Sequence, residues 1–240
     1  MDFIEAPSPN FDPRSAPPDM LVLHYTGMET GEAALARLRD PTPPRVSAHY
    51  VVEEDGRVFR LVPEERVAWH AGVSFWKGQK GLNANSIGIE IVNPGHEFGY
   101  RLFPDAQIAA VIALVGDIRE RWTIPDSRIL GHSDVAPGRR MDPGELFPWR
   151  KLADAGHGLW VDPPPSPGEP LHEGEEGVGV FALQAGLTRL GYDCAPSGKF
   201  DAETTTTVAT FQRHWRPDLV DGIADGETRA RLVALLRAAA

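Results

Sequence analysis

The stretch from Asp162 to Pro170 carries five prolines in nine residues. Proline lacks the backbone N–H that both helix and sheet ladders use, so no helix interior or central strand runs through such a segment. The chain is therefore divided here. An acidic run, Glu173 to Gly177, continues the break, and residues 161–176 read as an extended, semi-rigid linker. Residues 20–160 form one candidate unit and residues 177–240 a smaller one, as 240 residues allow. Residues 1–19, rich in Pro, Asp and Ser, read as an arm without its own core.

Within the larger unit, Met20 to Tyr25 is a short apolar strand, and Thr30 caps a helix running to about Arg39. His49–Val52 and Arg57–Val62 flank Asp55-Gly56, a dipeptide typical of a tight hairpin turn. Ser86 to Val92 alternates as a strand, with Ile87, Ile89 and Ile91 on one face and Gly88, Glu90 and Val92 on the other. Asp105 opens a helix whose Ile108, Val111, Ile112, Val115, Ile118 and Trp122 share one stripe. This order predicts an α/β fold with a central mixed β-sheet flanked by helices. The smaller unit is read as an all-α three-helix domain. In it Gly198-Lys199-Phe200-Asp201 is echoed by Gly222-Ile223-Ala224-Asp225, each copy a glycine turn followed by a capping aspartate.

A net charge of −10 argues against nucleic-acid binding and against docking on an anionic membrane. No apolar stretch is long enough to span a bilayer. The single cysteine, Cys194, excludes an internal disulfide and a thiolate-based metal site. The first residues lack a basic and an apolar export region, which sets the expectation of a cytoplasmic protein, or of a periplasmic one if further residues precede Met1.

The chemistry concentrates between His132 and Gly144, where a histidine and a carboxylate, Asp142, stand ten residues apart in a loop stiffened by prolines. Upstream, His24 closes the Met20–Leu23 apolar run. Two imidazoles and one carboxylate, with a fourth position open, form the ligand set of a catalytic zinc site, in which a bound water has a pKa near 7. Asp134 is the rival carboxylate; Asp142 is favoured because Pro143 holds it extended, which leaves Asp134 a supporting or capping role. Glu90 is the candidate general base, with Gly88 beside it leaving room for a substrate; its alternative reading is a solvent-facing glutamate. Arg140, with Arg139 as competitor, is the candidate for stabilising an oxyanion. Trp69 and His70 are candidates to line the cleft and bind substrate, with a place in the core as the alternative; His49 is open between substrate binding and a structural role, with the structural one favoured, while His96, His157, His172 and His214 read as incidental.

These motifs carry a resemblance. Leu23-His24-Tyr25-Thr26, Val46–Tyr50, Ala68–Gly72, Ser86–Glu90 and His132–Gly144 together resemble the type 2 N-acetylmuramoyl-L-alanine amidases, the superfamily of T7 lysozyme and the peptidoglycan recognition proteins. Leu190-Gly191-Tyr192, Gly198–Asp201 and Phe211-Gln212 are similar to the helical peptidoglycan-binding module of wall hydrolases. The resemblance implies one Zn2+ per chain on His24, His132 and Asp142, with Glu90 as base. It implies hydrolysis of the amide between the lactyl group of N-acetylmuramic acid and L-alanine of the stem peptide. The family often has lysine where this chain has Arg140, which keeps the charge in a different shape. The partners implied are peptidoglycan fragments (1,6-anhydromuropeptides) in a recycling role, or intact peptidoglycan in a wall-directed one, and no protein partner. A non-catalytic recognition protein is the third reading, which the full set of ligands disfavours.

Overall fold

The structure, a computed structural model, describes residues 1–239. At its centre lies a six-stranded sheet in the order β1 (Ile4–Glu5), β5 (Val58–Arg60), β4 (Tyr50–Val52), β9 (Ser86–Ile91), β3 (Met20–Tyr25), β10 (Ile129–Gly131). Its pairings are parallel except the β4–β5 hairpin, which turns at Asp55-Gly56. The sheet is therefore mixed, as its sequence pattern predicts. Two small antiparallel pairs flank it: β2 (Phe11–Pro13) with β6 (Arg66–Ala68), and β7 (Phe75–Trp76) with β8 (Gln79–Lys80). No helix among the described residues is long and apolar enough to cross a membrane.

The alternation of β9 decides what covers each face. Ile87, Ile89 and Ile91 join Leu21 and Leu23 in a core closed by the helix α3 (Asp105–Arg121) through Ile108, Val111, Val115 and Ile118. Leu114 also enters that core, while Ile112 and Trp122 stay at its margin. Ahead of it lie α1 (Gly31–Arg39), whose Thr30 hydroxyl accepts the Ala33 N–H, and the short α2 (Gly95–Phe98). After β10 come α4 (His132–Val135) and α5 (Trp149–Asp154).

Residues 1–19 have no core of their own, yet they are built into the sheet edge. β1 pairs with β5, and the Arg14 guanidinium donates to the carbonyls of Glu64, Arg66, Ala84 and Ser86. Strands of two or three residues in a Pro- and Asp-rich context leave no periodicity to read.

The C-terminal unit holds α6 (Val178–Leu190), α7 (Ala202–Trp215) and α8 (Gly226–Ala238). Asp201 and Asp225 cap α7 and α8 by accepting the N–H groups of Thr204 and Thr228. The repeat extends to side chains. Gln184 bonds Gly198, Lys199 and Thr204 in one copy, and Gln212 bonds Gly222, Ile223 and Thr228 in the other. This unit is packed on the sheet. One continuous apolar cluster joins Met20, Val22, Leu130 and Trp76 to Val180, Leu187, Tyr192 and Trp215. Gly191 lets this happen, because a Cβ there would stand 2.3 Å from the Trp76 ring.

Candidate metal centre and active-site cleft

Ligand sites in open α/β sheets gather beyond the carboxyl ends of parallel strands. Here β3 and β9 place His24 and Glu90 in register side by side. Next to them β10 ends at Gly131, so His132 emerges at the same end of the sheet. Asp142 returns on the following loop, and the Ser133 N–H donates to its carbonyl at 2.8 Å. The Nδ1 atoms of His24 and His132 lie 2.9 Å apart, and Asp142 Oδ2 lies 2.9 and 3.0 Å from them. All three residues are buried.

Counting protons fixes what these atoms offer. His132 Nε2 faces the Ala71 carbonyl at 3.0 Å and, less closely, the Arg139 guanidinium at 3.3 Å; the nearer carbonyl can only accept, which assigns the proton to Nε2 and a lone pair to Nδ1. The Ser86 hydroxyl donates to the Leu82 carbonyl at 2.6 Å, so it accepts from His70 Nε2 at 3.2 Å. His70 Nδ1 is then the acceptor for His24 Nε2–H at 3.0 Å, and His24 Nδ1 also keeps its lone pair. Two lone pairs and a carboxylate oxygen thus converge on one point, an arrangement suited to a bound cation. Neutral imidazoles oriented through their second nitrogen are what a metal requires. The donor set fits a metal ion with three protein ligands.

The electrostatics agree. Burial, and then the neighbouring His132, bring His24 down to about 4, so it is neutral at physiological pH. Glu90 goes the other way: burial and the Asp142 charge push it well above the ordinary value. Its Oε2 is buried without a hydrogen-bond partner.

A cleft of about 630 Å³ opens over these groups, with Trp69, Glu90, His96, Arg139, Arg140 and Met141 among its walls. Of the predicted substrate contacts, Trp69 is half-buried on this wall, its indole N–H donating to Asp12. His70 borders the cleft, but both of its ring nitrogens are taken by His24 and Ser86. The space beside Gly88, expected to admit substrate, holds the His70 ring: a Cβ on Gly88 would lie 2.4 Å from it. His49 does not reach the cleft. It is fully buried, its Nδ1 accepting the Gly88 N–H and its Nε2 facing Arg14 and the Arg66 carbonyl, a placement that matches the structural of its two readings and not the substrate-binding one. Arg139 donates to the carbonyls of Ala71 and Val73, which leaves exposed Arg140 as the freer cation on the rim.

Two histidines that read as incidental in the sequence have roles in the fold. His96 accepts the Tyr25 hydroxyl at 3.0 Å, faces Glu145 and borders the cleft. His214 is buried, 2.6 Å from Asp134. Neither stands in a motif; the aromatic residues beside each, Tyr100 and Trp215, are the only local signal.

A family model described as N-acetylmuramoyl-L-alanine amidase matches residues 14–145, more than half of the chain. The chain belongs to this amidase family. A second model, described as a peptidoglycan binding domain, matches residues 176–232. Among curated members, the N-acetylmuramoyl-L-alanine amidase AmiD of Escherichia coli is 39% identical over 233 residues, covering 90% of this chain and 82% of AmiD. The 1,6-anhydro-N-acetylmuramyl-L-alanine amidase AmpD of Escherichia coli is 32% identical over 164 residues, 61% of this chain and 87% of AmpD. The fold matches the structure of Escherichia coli AmiD in complex with anhydro-N-acetylmuramic acid-L-Ala-D-gamma-Glu-L-Lys, with a TM-score of 0.78 and 37% identity over 93% of this chain and 90% of that one. AmpDh3 of Pseudomonas aeruginosa gives a TM-score of 0.77 at 32% identity, covering 94% of both chains.

Proposed function

We propose that this amidase hydrolyses the amide between the lactyl group of 1,6-anhydro-N-acetylmuramic acid and the L-alanine of a stem peptide, with one zinc ion on His24, His132 and Asp142. The observation that carries the reading is the convergence of those three donors beside Glu90, half-buried on the wall of an open cleft with its Oε2 unpaired. The anhydromuropeptides bound in the AmiD and AmpDh3 complexes support the choice of substrate.

Zinc in this position would polarise the scissile carbonyl and acidify an attacking water. The remaining work falls to side chains. Glu90 Oε2, unpaired and with a raised proton affinity, takes the proton from water as the new C–O bond forms. It then delivers that proton to the alanine nitrogen as the C–N bond breaks, leaving a lactyl carboxylic acid, which gives up its own proton, and a free amino terminus. Arg140, on the rim and unencumbered by backbone contacts, faces the negative charge that develops on the carbonyl oxygen. Trp69 offers the half-open aromatic surface that a sugar ring or peptide plane can lie against.

We propose muropeptide recycling over wall remodelling, on the strength of the anhydromuropeptide bound to AmiD. Product analysis on anhydromuropeptides and on intact sacculi in parallel separates the two. Release of stem peptide from the small substrate alone supports recycling. Equal release from sacculi assigns a wall-directed enzyme.

A further inference from the structure

Asp134 is fully buried two residues beyond the ligand His132, and its carboxylate is held from three sides. Oδ2 accepts the Gly131 N–H at 2.8 Å, which closes the turn carrying His132. The same Oδ2 lies 2.6 Å from His214 Nδ1, and Oδ1 accepts the Tyr192 hydroxyl at 2.7 Å. Two of the three donors therefore come from the C-terminal unit, 58 and 80 residues further along the chain. Both are themselves fixed. The His214 ring is stacked between Trp149 and Trp215, at 3.7 and 3.8 Å between centroids. Tyr192 packs edge-on against Trp76 and is buried.

We propose that the C-terminal unit is a structural part of the metal centre: Tyr192 and His214 are positioning residues that hold Asp134, and through it the Gly131–His132 corner. The proposal rests on the metal-site reading above. Its reason lies in the backbone on either side of the ligand. The Gly131 N–H is tied to the Asp134 carboxylate, and the Ser133 N–H is tied to the carbonyl of Asp142, the third ligand. The direction of the His132 side chain and its separation from Asp142 are thus set by a turn whose anchor is Asp134. A docking contact alone would not require its acceptor to be the residue that closes this turn. A buried carboxylate deprived of its donors must turn or draw in water, and either movement releases the corner.

The test uses the full chain and zinc alone, with affinity read by competition against a chromophoric chelator. Tyr192→Phe removes one oxygen and keeps the ring on Trp76, and His214→Gln keeps a polar side chain between the tryptophans. Each is expected to weaken zinc binding about 10-fold, the low end of the effect of losing a group that orients a ligand, because each acts through Asp134. Leu235→Ala, which opens the core of the same unit and removes none of the hydrogen bonds to Asp134, is the control: it lowers the melting temperature and leaves zinc affinity within threefold of wild type. Wild-type zinc affinity in both Tyr192→Phe and His214→Gln overturns the proposal and reduces the contact to docking. Failure of the amidase reading is a different result: a wild-type protein that holds zinc and leaves anhydromuropeptides intact.

Discussion

His24 and Glu90 are register partners on the adjacent parallel strands β3 and β9, so the candidate ligand and the candidate base project from the same face of the sheet, one strand spacing apart. That spacing is set by the sheet itself, about 4.8 Å between strands. It keeps the Glu90 carboxylate beside the three-donor cluster without making it a member. Glu90→Gln preserves shape and removes the base. Zinc affinity should stay near wild type while turnover falls by about 10²–10⁴-fold. Zinc titration beside a single-turnover assay checks both halves; wild-type turnover would remove Glu90 from the mechanism.

The three candidate ligands behave differently. His24→Ala, His132→Ala and Asp142→Ala should lose zinc binding and activity together, since each leaves two donors. Metal analysis of the purified variants is the measurement. A fully active, metal-free Asp142→Ala protein would break the ligand assignment.

Gly88→Ala drives a Cβ to within 2.4 Å of the buried His70 ring, which has His24 at one nitrogen and Ser86 at the other. The crowding should cost about 1–3 kcal/mol of stability, as overpacking does. It should also weaken zinc binding by displacing the partner that orients His24. Thermal melts of the metal-free protein and zinc titration separate the two effects; unchanged zinc affinity would mean that His70 does not orient His24.

The residue types of the centre were legible because chemistry alone limits which side chains close a strand end with imidazole and carboxylate. The strand carrying Glu90 was legible from a period of two over Ser86–Ile91. The placement of His70 was not, because no sequence rule says that the gap beside Gly88 is filled by a ring eighteen residues upstream. The prolines of the linker mark it as irregular, but they carry no information on whether the C-terminal helices dock. Docking is decided by Gly191 against Trp76 and by Asp134 against Tyr192 and His214, pairings too distant in the chain to leave a period. The arm escaped for the same reason: Arg14 finds its carbonyl partners fifty or more residues away.

Stability should depend on pH through Glu64. This side chain is 5% exposed and accepts from the Tyr50 hydroxyl, the Arg121 guanidinium and the Trp122 indole. Burial pushes its carboxyl up, but the donors from Arg121, Tyr50 and Trp122 prevail and hold it below the ordinary value. A depressed folded-state pKa stabilises the fold above the unfolded value, near 4.3, and that contribution is lost as pH falls through the folded value. Glu64→Gln should therefore cost about 1–3 kcal/mol at pH 7, with the gap to wild type closing below about pH 4. Urea melts across pH 3–7 would show it; a gap independent of pH would contradict the assignment.

The most direct test of the account is mass spectrometry of a purified anhydromuropeptide incubated with zinc-loaded protein, with chelator-stripped protein, and with stripped protein given zinc again. The account predicts free stem peptide with an L-alanine amino terminus from the first and third samples and intact substrate in the second. Intact substrate with zinc-loaded protein, or equal cleavage in all three samples, would contradict it.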